Sequence, residues 1–255
     1  MSLIIERISA FSDNYFWLFH QSGSSLTWVV DPGDAVPVEA ALKEHQLSLS
    51  GILVTHHHPD HIGGIRELLQ NHPVPIYGPS SIEVVTHPVS DHDHLTIEDT
   101  VFEVIAVPGH TLDHIAYFSS EEPLIFCGDT LFAGGCGRLF EGSPKQMWQS
   151  LQKLLALPPS TRIFCAHEYT QANLRFAQAV EPENTVLAKR VKEVADLRRS
   201  GIATVPSTLA EEMATNPFLR PHEAAVHLAA EAHEGHTIQG ADEVFRVIRQ
   251  WKDNF

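Results

Sequence analysis

Four short apolar runs in this chain each lead, within three residues, to a side chain able to bind a metal. Ile52-Leu53-Val54 runs into Thr55-His56-His57-His58-Pro59-Asp60-His61, and Val104-Ile105-Ala106-Val107 passes through Pro108-Gly109 to His110. Leu124-Ile125-Phe126-Cys127 passes through Gly128 to Asp129, and Ile163-Phe164-Cys165 through Ala166 to His167. Apolar runs of this length read as buried strands. Four strands that end in ligands are expected where strand ends converge on one edge of a layered sheet, with glycine letting the backbone turn sharply beside the site. Imidazole and carboxylate together form the ligand set of zinc, iron or manganese.

The set comprises His56, His58, Asp60, His61, His110, Asp129 and His167. It is too large for one tetrahedral ion and suits two ions sharing a bridging carboxylate. Asp129 in Cys-Gly-Asp-Thr would serve equally as a turn cap, but only a carboxylate offers two oxygens to two metals. His57 should point away from its neighbours' target and receives no metal. His92 and His94 form a second i,i+2 pair, but no apolar strand leads into them, so they read as a solvated loop. His222, His227, His233 and His236 read as surface groups on polar helix faces.

A chain of 255 residues with 43% hydrophobic content can bury a large core. No segment approaches the ~20 apolar residues of a membrane span. The start, Met1-Ser2-Leu3-Ile4-Ile5-Glu6-Arg7, breaks its apolar run with charge, so no secretory leader is expected. Cys127, Cys136 and Cys165 are odd in number and lie beside site segments, which points to a reducing, cytoplasmic setting. A net charge of −15 argues against nucleic acid, whose binding requires neutralised phosphates.

Strands are predicted over 3–8, 15–19, 26–30, 52–54, 75–77, 101–107, 115–118, 124–127 and 162–165, and helices over 36–44, 63–70 and 144–157. Ser143 caps the last helix and Pro144 suits its first position. Beyond about Thr170 only helical spacing is read: Val191, Val194 and Leu197 share a stripe, and Thr208-x-x-Glu211 forms a capping box. The expected organisation is a mixed α/β domain over 1–170 followed by a small all-helical domain over 171–255.

His-x-His-x-Asp-His followed by separated His, Asp and His resembles the metallo-β-lactamase superfamily, which implies an αββα sandwich. Asp13-Asn14-Tyr15, Asp31-Pro32-Gly33-Asp34, Gly135–Gly142, Ala166–Thr170, Asn216–Arg220 and the closing Arg249–Phe255 make the whole chain similar to the glyoxalase II family, the hydroxyacylglutathione hydrolases. The resemblance implies hydrolysis of S-D-lactoylglutathione to D-lactate and glutathione, the second step of methylglyoxal detoxification. It implies two divalent ions per chain, zinc first, with iron or manganese as alternatives. One would be held by His56, His58 and His110 and the other by Asp60, His61 and His167, with Asp129 between them. Asp129, Asp60, His56 and His58 would form the catalytic set that readies hydroxide for the thioester carbonyl.

Arg249 and Lys252 are three apart and share a helix face, either as an exposed basic patch or as an anion site. By resemblance they hold the glycine carboxylate of glutathione, with Arg138 and Tyr169 contributing. Phe140 stands where some family members have tyrosine, and without a hydroxyl it is left out. Asp113 stands where glycine is frequent, adding a negative charge near His110 and His114 that could alter metal preference. Asp31 and Glu168 are the candidates for orienting the imidazoles. The partner is thus a small glutathione thioester, with no nucleic acid and no membrane, and the chain is expected to act as a monomer. The closest competing function is a glutathione persulfide dioxygenase of the same superfamily, which needs only three protein ligands. A secreted lactamase, a nuclease and a metal-buffering protein explain fewer of these residues.

Overall fold

The computed structural model describes residues 2–255, which divide into two compact units. The first unit comprises residues 2–106 and 113–128, and the second residues 107–112 and 129–255.

In the first unit, β1 (Leu3–Ala10), β2 (Asn14–Gln21) and β3 (Leu26–Val30) form an antiparallel meander. Helix α1 (Ala35–His45) then crosses to β4 (Ser48–Leu53), which pairs parallel with β3. Asp34 starts α1 by accepting from the Val36 N–H, and Gln46 ends it in the left-handed conformation. The short helices α2 (Pro59–Ile62) and α3 (Ile65–Asn71) follow, and β5 (Ile76–Gly78) and β6 (His87–Pro88) extend the sheet in parallel. A second, antiparallel sheet runs in the order β10-β9-β8-β7, from β7 (His94–Ile97), β8 (Thr100–Ala106), β9 (Ile115–Ser119) and β10 (Leu124–Gly128).

β2 is buried at every position because both its faces are covered. Phe16 and Leu18 pack into one cluster with Val38, Leu42, Ile65 and Leu68 of α1 and α3. On the opposite face the Phe19 ring lies 5.4 Å from Phe102 and 5.3 Å from Phe126 of the second sheet. The buried Tyr117 hydroxyl donates to the Val54 carbonyl at 2.7 Å, just ahead of the histidine run. Helices on one sheet and a second sheet on its other face reproduce the expected helix-sheet-sheet layering for this unit.

The second unit contains the hairpin β11 (Leu131–Phe132) and β12 (Gly135–Cys136), helix α4 (Pro144–Leu155) and β13 (Arg162–Cys165). Helices α5 (Thr170–Val180) and α6 (Thr185–Arg199), strand β14 (Ser207–Thr208), α7 (Leu209–Thr215), a 3-10 turn (Pro217–Leu219), α8 (Ala224–Glu234) and α9 (Ala241–Asp253) complete it. Ser143 and Gln146 close a reciprocal capping box on α4, as the Ser-Pro start predicts. Thr208 likewise accepts from the Glu211 N–H at 3.3 Å.

The tail is not helix alone. Ser207 and Thr208 pair with Ile163 and Arg162 of β13, a two-residue edge too short to leave a periodicity. His94 similarly opens β7 rather than lying in a loop, although it remains exposed. No helix among the described residues is long and apolar enough to cross a membrane.

Candidate metal centre and anion-binding face

In the first unit the chain leaves β4 at Leu53 and enters Thr55–His61, with His58 capping α2 in extended conformation. Asp31 is 3% exposed, and its carboxylate accepts from the Thr55 N–H at 2.8 Å and the Thr55 hydroxyl at 2.7 Å. The same Oδ2 lies 3.1 Å from His61 Nδ1. A carboxylate only accepts, so this contact, an ion-pair distance outside hydrogen-bond geometry, favours the proton on the facing Nδ1 of His61. The Thr55 hydroxyl has one proton and gives it to Asp31, so toward His56 Nδ1 at 3.0 Å it acts as acceptor. Both contacts favour the proton on Nδ1, which leaves Nε2 as the candidate ligand nitrogen.

Asn14 holds Asp60 from the start of β2, its Nδ2 donating to Asp60 Oδ2 at 2.9 Å. The rings of His58, His61 and His114 surround buried His56 at 4.8, 4.1 and 4.5 Å, and His114 is stacked flat against it. Gly128 closes this pocket at φ +48°, where an added Cβ would meet Thr55 Oγ1 at 2.4 Å and His114 Nε2 at 2.9 Å. No larger residue fits there without opening the histidine cluster.

In the second unit Asp129 faces two imidazoles with its two oxygens. His110 Nε2 lies 3.3 Å from Oδ2 and His167 Nε2 lies 3.4 Å from Oδ1. His110 Nδ1 donates to the Arg138 carbonyl at 2.8 Å, which again directs Nε2 to the carboxylate. Tyr169 stacks on His167, with ring centres 4.6 Å apart and planes 5° apart. The His and Asp groups of each unit are of the kind that hold metal ions. The cysteines do not join them. All three are buried, and burial pushes the Cys136 thiol up to about 11 and Cys165 to about 12, so both stay protonated.

The basic residues form one assembly on α9 and its surroundings. Arg249 is 5% exposed, so the exposed-patch alternative fails for it. Its Nη1 donates to the Cys136 carbonyl at 3.0 Å, its Nη2 pairs with Asp253 at 2.9 Å, and its guanidinium covers the Phe218 ring at 4.8 Å. Arg138 Nε reaches the same Asp253 oxygen at 3.4 Å. Lys252 lies over the rings of Phe176 and Phe255. Burial, and then the positive charges of Arg249, Arg175 and Arg138, hold Lys252 below the usual lysine range.

Sequence reasoning anticipated Asp31 beside the ligands but missed Asn14, Thr55 and His114. The Asp-Asn-Tyr run was the available signal for Asn14. Glu168 turns elsewhere, accepting from the Thr204 N–H at 2.9 Å and pairing with Arg198 at 3.4 Å. Asp113 is bonded to His57, at 3.0 Å from each of its oxygens to Nδ1.

Comparison with known proteins agrees with this chemistry. The family model described as metallo-beta-lactamase superfamily matches residues 14–88 and 78–167, and that described as hydroxyacylglutathione hydrolase C-terminus matches residues 168–255. The hydroxyacylglutathione hydrolase of Hahella chejuensis is 52% identical, covering 97% of this chain and 98% of its own length. That of Alkalilimnicola ehrlichii is 52% identical over 98% of each chain. Among solved structures, ETHE1 from Myxococcus xanthus superposes with a TM-score of 0.66 at 22% identity over 98% of each chain. The BLEG-1 B3 metallo-beta-lactamase gives 0.66 at 22%, covering 85% of this chain and 99% of its own, and these two likenesses concern the fold alone. TTHA1623, crystallised in a di-iron-bound form, gives 0.54 at 28% identity, covering 60% of this chain and 87% of its own.

Proposed function

This chain belongs to the hydroxyacylglutathione hydrolase family of the metallo-β-lactamase superfamily, and we propose that it hydrolyses S-D-lactoylglutathione to D-lactate and glutathione. It is then a thioester hydrolase, acting at the second step of methylglyoxal detoxification. The observation that carries the reading is Asp129, whose two oxygens each address a different imidazole. That is the geometry a bridging carboxylate needs.

We assign one ion to His56, His58 and His110, a second to Asp60, His61 and His167, and Asp129 to both. The donors are all imidazole nitrogens and carboxylate oxygens, and the Cys136 and Cys165 thiols stay protonated. Such a set fits zinc first and tolerates iron or manganese. Divalent cations bound by these residues would supply Lewis acidity and would lower the pKa of a bound water.

The chain's own residues do the rest. Asp31 and Thr55 fix the tautomers of His61 and His56, Asn14 orients Asp60, and the Arg138 carbonyl orients His110. The leaving thiol has an ordinary pKa near about 8.5, so it departs as thiolate without a dedicated acid.

The substrate is an anion and the protein carries −15. Screening acts over roughly 8 Å, so local cations decide binding. Arg138, Arg249 and Lys252 supply them, with Tyr169 beside His167 on the same unit. Residues 171–255 would serve as the glutathione-binding domain behind a catalytic domain of 1–170. Three buried cysteines, none of them in a disulfide, suit a reducing cytoplasm, and we assign the active form as a monomer.

The test is to count metals per chain in the purified protein and follow thioester absorbance in the ultraviolet. Two ions and rapid loss of the thioester are expected. Asp129→Ala should lose at least one ion and nearly all hydrolysis. Oxygen uptake with glutathione persulfide, and no thioester loss, would overturn the assignment in favour of the dioxygenase.

A further inference from the structure

We infer that Asp113 is a positioning residue for the histidine run, acting on His58 through His57. The inference rests on the reading that His56 and His58 are metal ligands. His57 lies between them in sequence and stands outside that ligand set. Its Nδ1 sits 3.0 Å from both Asp113 oxygens, and Ser81 donates to Oδ2 at 2.8 Å. One carboxylate thereby ties together three chain segments: the run after β4, the turn after β5 and the loop before β9.

Both Asp113 oxygens are engaged in this way, so in this arrangement the carboxylate anchors His57. The Asp113 side chain is 15% exposed against 39% for His57, so the acceptor is the better-fixed partner. A freely exposed ion pair would contribute little. Here the consequence is geometric. The anchored His57 ring stands edge-on to His58 at 5.2 Å and 76°, and His56, two residues before His58, stands edge-on to it at 4.8 Å and 73°. His58 thus meets the two imidazoles that precede it in the run, one contacted by Thr55 and the other by Asp113. Its own ring is only partly buried and caps no backbone group of α2. Loosening His57 removes a ring that packs edge-on against His58 and helps to hold its rotamer.

The test uses metal-loaded full-length protein and a chromophoric chelator. Asp113→Ala should release metal about 10-fold faster or more, within the range for partners that orient metal ligands. Asp113→Asn, which keeps an acceptor, should fall between it and the parent. His57→Ala should match Asp113→Ala, and the double variant should be no faster than either. The melting temperature of the chelator-stripped protein should change little, because a merely structural contact would move that quantity rather than release. Unchanged release in Asp113→Ala and Asp113→Asn, or fully additive effects in the double variant, would overturn the inference. His58→Ala separates the two levels. If it loses metal while Asp113→Ala does not, only the positioning role fails, and if it loses none, the ligand reading fails as well.

Discussion

Replacing Asp31 by asparagine changes one oxygen into an amino group at a site with little room for the change. Oδ1 accepts from the Thr55 N–H, and Oδ2 accepts from the Thr55 hydroxyl while facing His61 Nδ1. If the amide oxygen stays at the Oδ1 position, the amino group points at Thr55 Oγ1 and His61 Nδ1. The hydroxyl must then turn its proton toward His56 Nδ1, and His61 Nδ1 must become an acceptor. Both rings are driven to carry the proton on Nε2, the nitrogen meant for the metal. If the amide is reversed, its amino group confronts the Thr55 N–H and leaves two buried donors facing each other, a loss of about 1–3 kcal/mol. Asp31 is 3% exposed, so water cannot relieve either arrangement. The expected result is metal binding weakened about 10–100-fold, or about 1.4–2.7 kcal/mol. Competition against a chelator of known affinity reads this directly, and urea unfolding of the stripped protein reads the accompanying loss of stability. Affinity within twofold of the parent would refute the tautomer argument, whatever happens to turnover.

Other consequences are open to simple measurement. Glu212 is fully buried, pairs with Arg190 at 2.6 Å and accepts from the Gly134 N–H at 2.7 Å. Glu212→Ala should cost about 3–5 kcal/mol in urea unfolding, and a loss below about 1 kcal/mol would show that Arg190 finds another partner. Lys252 is held below the usual lysine range, so KM for an anionic thioester should rise with pH through that lowered value. Arg138→Ala removes a repelling cation and should move this limb to higher pH, and a limb that stays put would detach Lys252 from binding. The buried thiols of Cys136 and Cys165, at about 11 and about 12, should resist alkylation at pH 8 in the native protein. Unfolded thiols ionise near about 8.5. Above that pH the unfolded state therefore binds fewer protons than the native one, and stability should fall as pH rises.

The identity of a ligand is a local property, whereas its orientation is not. His56, His110, Asp129 and His167 stand out as candidates because an apolar run, a turn residue and a donor follow one another within a few positions. The groups that orient them come from far along the chain: Asp31 reaches Thr55 across 24 residues, Asn14 reaches Asp60 across 46, and Asp113 reaches His57 across 56. Arg249 shows the same limit. Its spacing from Lys252 correctly places both on one face, but the face reads as exposed because the Cys136 carbonyl that buries it lies 113 residues away. β7 and β14 escaped because short edges carry too few residues for a period. Chemistry at one end of a sheet can thus be read from side-chain type, while the protonation state that makes an imidazole a ligand depends on contacts that only folding creates. Asp31 and Asp113 are where these two levels meet. A chain keeping every histidine of the run but losing either carboxylate would still read as a metal centre and would hold its ions poorly.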